Sequence, residues 1–269
     1  MQSKISQELG MKFPPIALLK SDEKPEDGIG PKNNRGCVMS FVAQTIAKRK
    51  TTYFGRENIA CGGVSSGFGW GTGFANEEAM DFQATFLSCG IDSAPDKEIY
   101  EERLNNMPKH TSEMFKIGER IYSDFETAKT CIKNRPIYDE GKYVIFKGLE
   151  NLKEGEIPQS VIFTVNPIEL TAIIQINSSF RIDGNCILTP QASACQAIGC
   201  FTFEQSESDD PKPILGPIDF AGRSKMKHFI PDDYLTLSMP WKLFLKLEEI
   251  SEKSVLQTGM FIKFNNNFK

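Results

Sequence analysis

The stretch Ser160-Val-Ile-Phe-Thr-Val165, followed at once by Asn166-Pro167, constrains the fold more than any other part of the chain. A short run rich in β-branched and aromatic residues reads as a strand. Asn is a preferred N-cap, and Pro at the first helical position loses nothing because that N–H has no helical partner. A strand therefore stops at Val165 and a helix runs from Pro167 to about residue 178. Delivering a strand straight into a helix calls for a sheet with helices layered on it.

The same two kinds of segment alternate loosely along the chain. Residues 3–10 read as a short helix. Phe13–Leu19 reads as a strand with its prolines at the start, where a missing N–H is tolerated. Residues 21–35 read as a loop and 37–48 as a largely buried helix. Lys48-Arg49-Lys50 ends that helix, where cations complement the dipole. Thr51–Phe54 is a strand. Asn76 caps a further helix, and 96–132 is helical with a break near Pro108. Tyr143–Lys147 is a strand, 191–199 a helix, and 204–216 an acidic loop. Tyr234–Met239 is a strand, Pro240 begins a helix through about Glu249, and Ser254–Thr258 extends the helical tail. This pattern predicts an α+β fold, with mixed sheet layers and flanking helices. No long linker or repeat interrupts it. The expected unit is a single domain over 1–269, with two closely packed lobes joined near 135–142 as the alternative.

Composition narrows the function classes. With 269 residues, a net charge of −4 and 25% charged residues, the chain offers no electrostatic reason to bind nucleic acid or an anionic membrane. The N-terminus MQSKISQELGMKF lacks the apolar core of a signal peptide, and no apolar run approaches the roughly 18 residues that span a bilayer. A cytoplasmic protein is the resulting expectation. Only two histidines occur, His110 and His228, both in charged surroundings that read as solvated, so a histidine-rich zinc hydrolase site is nearly excluded.

Thiols, carboxylates and backbone remain. The seven cysteines (37, 61, 89, 131, 186, 195, 200) are odd in number and scattered, so in a reducing compartment they are thiols or metal ligands, not a disulfide framework. Cys61 opens the glycine-rich stretch ACGGVSSGFGWGTGF. That stretch contains neither G-x-G-x-x-G nor G-x-x-x-x-G-K, and the chain has no C-x-x-C. Gly62 and Gly63 can turn backbone N–H groups toward a thiolate, a cluster sulfide or a bound anion, forming a nest. The plain alternative is a tight turn with Cys61 as a small buried hydrophobe. Phe68, Trp70 and Phe74 read as core fillers. Cys37 opens the 37–48 helix, where the dipole favours a thiolate. Cys195 and Cys200 have a spacing found in some metal sites. Cys89, Cys131 and Cys186 read as structural. Arg223, in Ile218-Asp-Phe-Ala-Gly-Arg-Ser224, could clamp a carboxylate or phosphate, or pair with Asp219 at the surface.

In order, these features are Pro14-Pro-Ile-Ala-Leu18, Cys37 with its helix, Cys61-Gly-Gly, Asn166-Pro167, Ser193-Ala-Cys195, Leu215–Arg223 and Asp232–Pro240. That order resembles the archaeal and bacterial family called domain of unknown function 169, over about residues 10–250. The resemblance implies positions and no activity. Cys37, Cys61 and Cys195 match the family's recurring cysteines, and Asn166-Pro167 and Arg223 also match. Many members carry an extra residue between cysteine and glycine pair, and some have a cysteine near 217, where this chain has Pro217. A fourth thiolate, if needed, would have to come from Cys200.

Two readings follow. In the first, Cys37, Cys61 and Cys195 form a site for an iron–sulfur cluster or a zinc ion with one exchangeable position. In the second, the protein is metal-free and holds a small anion or nucleotide with the Gly62–Gly63 nest and Arg223, in an aromatic-lined pocket. A small molecule or a redox protein is the expected partner, and an assembly of identical chains stays open. A purely structural subunit has no signal in the sequence, and neither substrate nor reaction is set by it.

Overall fold

A computed structural model of the chain describes residues 1–32, 37–58, 62–71, 77–94, 97–107, 109–190 and 193–267, and at 62, 110 and 264–267 the backbone alone. In chain order the elements are α1 (Lys4–Leu9), β1 (Ile16–Ser21), α2 (Val38–Lys48), β2 (Thr52–Gly55), α3 (Gly62–Gly67), α4 (Glu77–Leu87), α5 (Glu101–Asn105), α6 (Lys109–Ile117) and α7 (Phe125–Lys133). They continue with β3 (Tyr143–Gly148), β4 (Ser160–Val165), α8 (Pro167–Ser178), α9 (Ala194–Ile198), α10 (Cys200–Ser206), β5 (Ile214–Gly216), α11 (Phe220–Met226), β6 (Leu235–Pro240), α12 (Trp241–Ser251) and α13 (Gly259–Asn267). The protein is α+β, built on one open six-stranded sheet of order β2-β3-β1-β4-β6-β5. The ladders between these strands are antiparallel. Parallel bridges occur at the two edges, Ile29 to Thr52 and Leu188 to Ile214.

Alternation along the strands divides the core in two. Ile16, Leu18, Phe54, Val144, Phe146 and Ile162 point to one face and meet Val38, Val42 and Ile46 of α2. Ala17, Leu19, Ile145, Val161, Phe163 and Leu237 point to the other and meet Ile173 and Ile176 of α8 and Phe244 and Leu247 of α12. The β4–α8 junction forms as its residues dictate. Asn166 Oδ1 accepts from the N–H groups of Ile168 and Glu169 (2.9 and 3.0 Å), and Glu169 returns a carboxylate to the Asn166 N–H (2.8 Å). These bonds pair backbone donors that a helix start otherwise leaves open.

β2 and β3 are neighbours in the sheet, yet the chain between them makes the long helical excursion α3–α7. The excursion has its own apolar contacts: Phe115 stacks between Phe82 and Phe86, with ring centroids 4.9 and 4.1 Å away. Its junction with the sheet is aromatic. Phe68 meets Phe54 and Phe146 edge-on at 5.1 and 6.1 Å, and Trp70 meets Phe54 at 5.8 Å. Residues 135–142, the expected lobe join, are the return path. They are tied to the glycine-rich stretch by Tyr138 N–H to Gly69 O (2.7 Å) and Trp70 Nε1 to Glu140 O (2.9 Å), and to β1 by Lys20 Nζ to Tyr138 O (2.5 Å).

Two sequence readings change and one element is new. The segment 204–216 is not one loop: α10 continues through Ser206, and Ile214–Gly216 pairs with β6 as an edge strand. Burial of Ile214 against the sheet outweighs the polar character of its neighbours. The stretch 219–226 is helix α11, started by Asp219, whose side chain accepts from the Gly222 N–H. Gly62–Gly67 is a short helix, not a turn.

Candidate functional site

A cavity of about 280 Å³ opens between the helical excursion and the helices that cover the α2 face of the sheet. Cys37 lines it from the start of α2, Cys195 from α9 and Gly63 from α3. Phe86, Leu87, Met114, Phe115 and Ile121 make the opposite wall. The polar side chains on its lining include Glu119, Asp219, Arg135 and Tyr122. Residues remote in sequence thus share one concave, mostly apolar surface, as small-molecule sites do.

Each thiol has a local cause for its place. Cys37 is the N-cap of α2, with extended backbone, and its carbonyl accepts from the Ser40 N–H and hydroxyl (3.0 and 2.6 Å). Cys195 sits in the first turn of α9, its Sγ 3.4 Å from the Ser193 hydroxyl and 4.0 Å from the Gly63 carbonyl oxygen. The start of α9 is held by two side chains. Gln196 Oε1 accepts from the Ser193 N–H (3.1 Å), and Asp219 Oδ2 accepts from the Ala194 N–H (2.6 Å) while its Oδ1 caps α11 (2.7 Å). Asp219 thereby fixes two helix starts at once.

The glycines beside the thiol have a packing reason. A Cβ built on Gly67 would stand 2.9 Å from Cys195 Sγ, and one built on Gly199 would stand 2.1 Å from the Gly67 carbonyl oxygen. α3 and α9 approach this closely because both positions lack a side chain.

Glu119 was not singled out by sequence. It follows Gly118, whose backbone is left-handed (φ +78°) and packs against Gly90, also left-handed (φ +81°). The segment is pinned to the end of α4: Glu119 N–H donates to Phe86 O (2.8 Å) and Ile121 N–H to Leu87 O (2.9 Å). These bonds satisfy carbonyls that the end of a helix leaves open. Burial, and then the like charge of Asp219, push the Glu119 carboxyl above its ordinary range. Tyr122 is also raised, chiefly by burial. Arg135 is buried and donates to the Ser66 hydroxyl (2.8 Å).

The remaining sequence candidates fall as follows. Cys61 lies outside the described residues, as do Phe74 and Asn76. Gly62 and Gly63 form the first turn of α3, and Gly63 lines the cavity. Arg223 is not on the cavity wall. Its guanidinium donates to the backbone carbonyls of Asp232, Tyr234 and Pro217 (2.6, 3.4 and 2.6 Å), tying α11 to the approach of β6; Asp219, its expected surface partner, is engaged with the two helix starts. Cys200 is fully buried off the cavity wall, its thiol pushed up to about 12 by burial. Cys186 is buried too, and His228 is exposed. Among the described residues, no three His, Cys, Asp or Glu side chains gather at a point that could hold a metal ion, and no helix is long and apolar enough to cross a membrane.

Fold and site together define an α+β protein with a thiol-lined cavity between an antiparallel sheet and a helical excursion. The chain belongs to the family DUF169, described as uncharacterised ArCR, whose profile matches residues 4–250. No curated protein and no solved structure matches it.

Proposed function

We propose that this protein works in the cytoplasm as a metal- or iron–sulfur-dependent binding protein or enzyme, with Cys37, Cys61 and Cys195 as ligands and a small molecule in the adjoining cavity. The observation that supports this is the convergence of Cys37 and Cys195 on one cavity, together with Gly63, two residues after Cys61. The donor chemistry fits: thiolates suit zinc and iron–sulfur clusters, and the Ser193 hydroxyl beside Cys195 Sγ can donate to a thiolate. Two of the three thiols come from described residues, and Cys61 supplies the third by its place in the sequence. When bound, such a group would supply Lewis-acid or one-electron chemistry at an exchangeable position. The chain's own contribution is to hold Cys195 through Asp219 and Gln196 and to keep water off the apolar wall.

Metal and acid-labile sulfide analysis of protein purified without oxygen tests the reading. We expect a stoichiometric metal or cluster in the native chain and its loss in Cys37→Ser, Cys61→Ser and Cys195→Ser. Unchanged metal content in Cys61→Ser, or a folded native protein free of metal, overturns it.

A further inference from the structure

The proposed metal ligands account for one side of the cavity and leave its far wall without a role. That wall is built from Phe86, Leu87, Met114, Phe115 and Ile121, with the Glu119 carboxyl set among them. Nothing about zinc or a cluster requires such a wall, since thiolates alone would complete the ligand set. The wall instead has the composition of a site for an organic molecule. A volume of about 280 Å³ has room for a single-ring molecule with a short chain.

Charge sets which head group such a molecule carries. Glu119 makes no side-chain hydrogen bond or ion pair among the described residues, although its side chain is half-buried. The charge that acts on it is Asp219, of the same sign, and Asp219 already has both oxygens engaged by backbone N–H groups. Two cations also line the cavity and neither offsets Glu119. Arg135 is turned to Ser66 and Tyr122, and Lys225 is exposed. A half-buried carboxylate next to a like charge is costly in its ionised form, and a cation that joins it removes that cost. The rings of Phe86 and Tyr122 on the same cavity add π-systems that attract an organic cation, while Phe115, stacked between Phe82 and Phe86, contributes apolar surface only.

We infer that the cavity binds a small organic ammonium compound with an apolar body, its nitrogen paired with Glu119 and its body against Phe86, Leu87 and Phe115. This deepens the proposed function by naming the ligand class. It rests on the same cavity but not on the metal.

The test is calorimetric titration of the full chain with three probes of one shape: 2-phenylethylammonium, 2-phenylethanol and 3-phenylpropionate. The expected result is binding of the ammonium probe at least tenfold tighter than the alcohol, and no binding of the carboxylate. Glu119→Gln should abolish the tenfold preference, and Glu119→Lys should transfer it to 3-phenylpropionate. Equal affinities for the three probes, no binding of the ammonium probe, or an unchanged preference in Glu119→Gln overturns the inference. Repeating the titration on Cys61→Ser separates the two proposals. Retained ammonium binding there supports the ligand class whatever the metal content, and binding lost with the metal overturns the claim that the Glu119 wall acts without it.

Discussion

At the residue scale, Asp219 does the most with one side chain. It accepts from Ala194 N–H and Gly222 N–H, so it starts both α9, which carries Cys195, and α11. Asp219→Ala leaves two backbone donors without their partner and should cost about 1–3 kcal/mol in urea unfolding. Asp219→Asn, which keeps an acceptor oxygen, should cost less. Glu119 has the opposite energetics. Its carboxyl is raised in the folded protein, so the unfolded chain ionises first as pH rises. The penalty is absent below the unfolded value of about 4.3 and complete above the folded value. Glu119→Gln should therefore be more stable than the native chain at neutral pH, with the gap closing as pH falls toward 4. Unfolding midpoints across pH 4–8 check this, and a gap that widens on acidification contradicts it.

At the element scale, the contact between α3 and α9 depends on Gly67 and Gly199. The two positions differ in what a methyl group would strike. At Gly67 it meets the Cys195 thiol and at Gly199 the Gly67 carbonyl, which is backbone and cannot step aside. Gly199→Ala should cost roughly 2–4 kcal/mol. Gly67→Ala should cost less, because the thiol can rotate and alanine favours the helix by about 1 kcal/mol. Gly184, with open space around it and no left-handed backbone, is the control: Gly184→Ala should be near neutral. Denaturant midpoints of the three variants rank these effects. Equal losses at 67, 184 and 199 would remove the close-approach explanation.

For the whole molecule, the question is whether the helical excursion and the sheet unfold together. Their junction is the Phe54–Phe68–Trp70–Phe146 cluster with the bonds from residues 135–142. The two tryptophans lie on opposite sides of the sheet. Trp70 is in that junction, and Trp241 stacks on Phe244 in the other core. Trp70→Phe and Trp241→Phe leave one reporter each. If the chain is one cooperative unit, the fluorescence transition of each variant will coincide with its own circular-dichroism transition in urea. A Trp70 signal lost before the secondary structure would divide the molecule at the 135–142 return.

Much of the framework was legible because it rests on local chemistry. The α8 start, the Cys37 helix and the strands over 16–19, 143–147 and 160–165 follow from caps and short-range apolar patterns. β5 was not legible, because only pairing with β6 makes a strand of so short a segment in polar surroundings. α11 is not legible either, because its starting residue, Asp219, reads equally as a surface partner for Arg223. The family's recurring cysteines could be named from their order, but order does not bring Cys37 and Cys195 to one cavity. Glu119 had no local signal at all, since what distinguishes it is burial beside Asp219, a residue far away in the chain. The sequence by itself determined most of the elements, and the thiols and glycines, because capping, periodicity and residue type act over a few neighbours. The tertiary structure alone decided which of them share a surface, because burial, close approach and charge proximity are properties of distance in space.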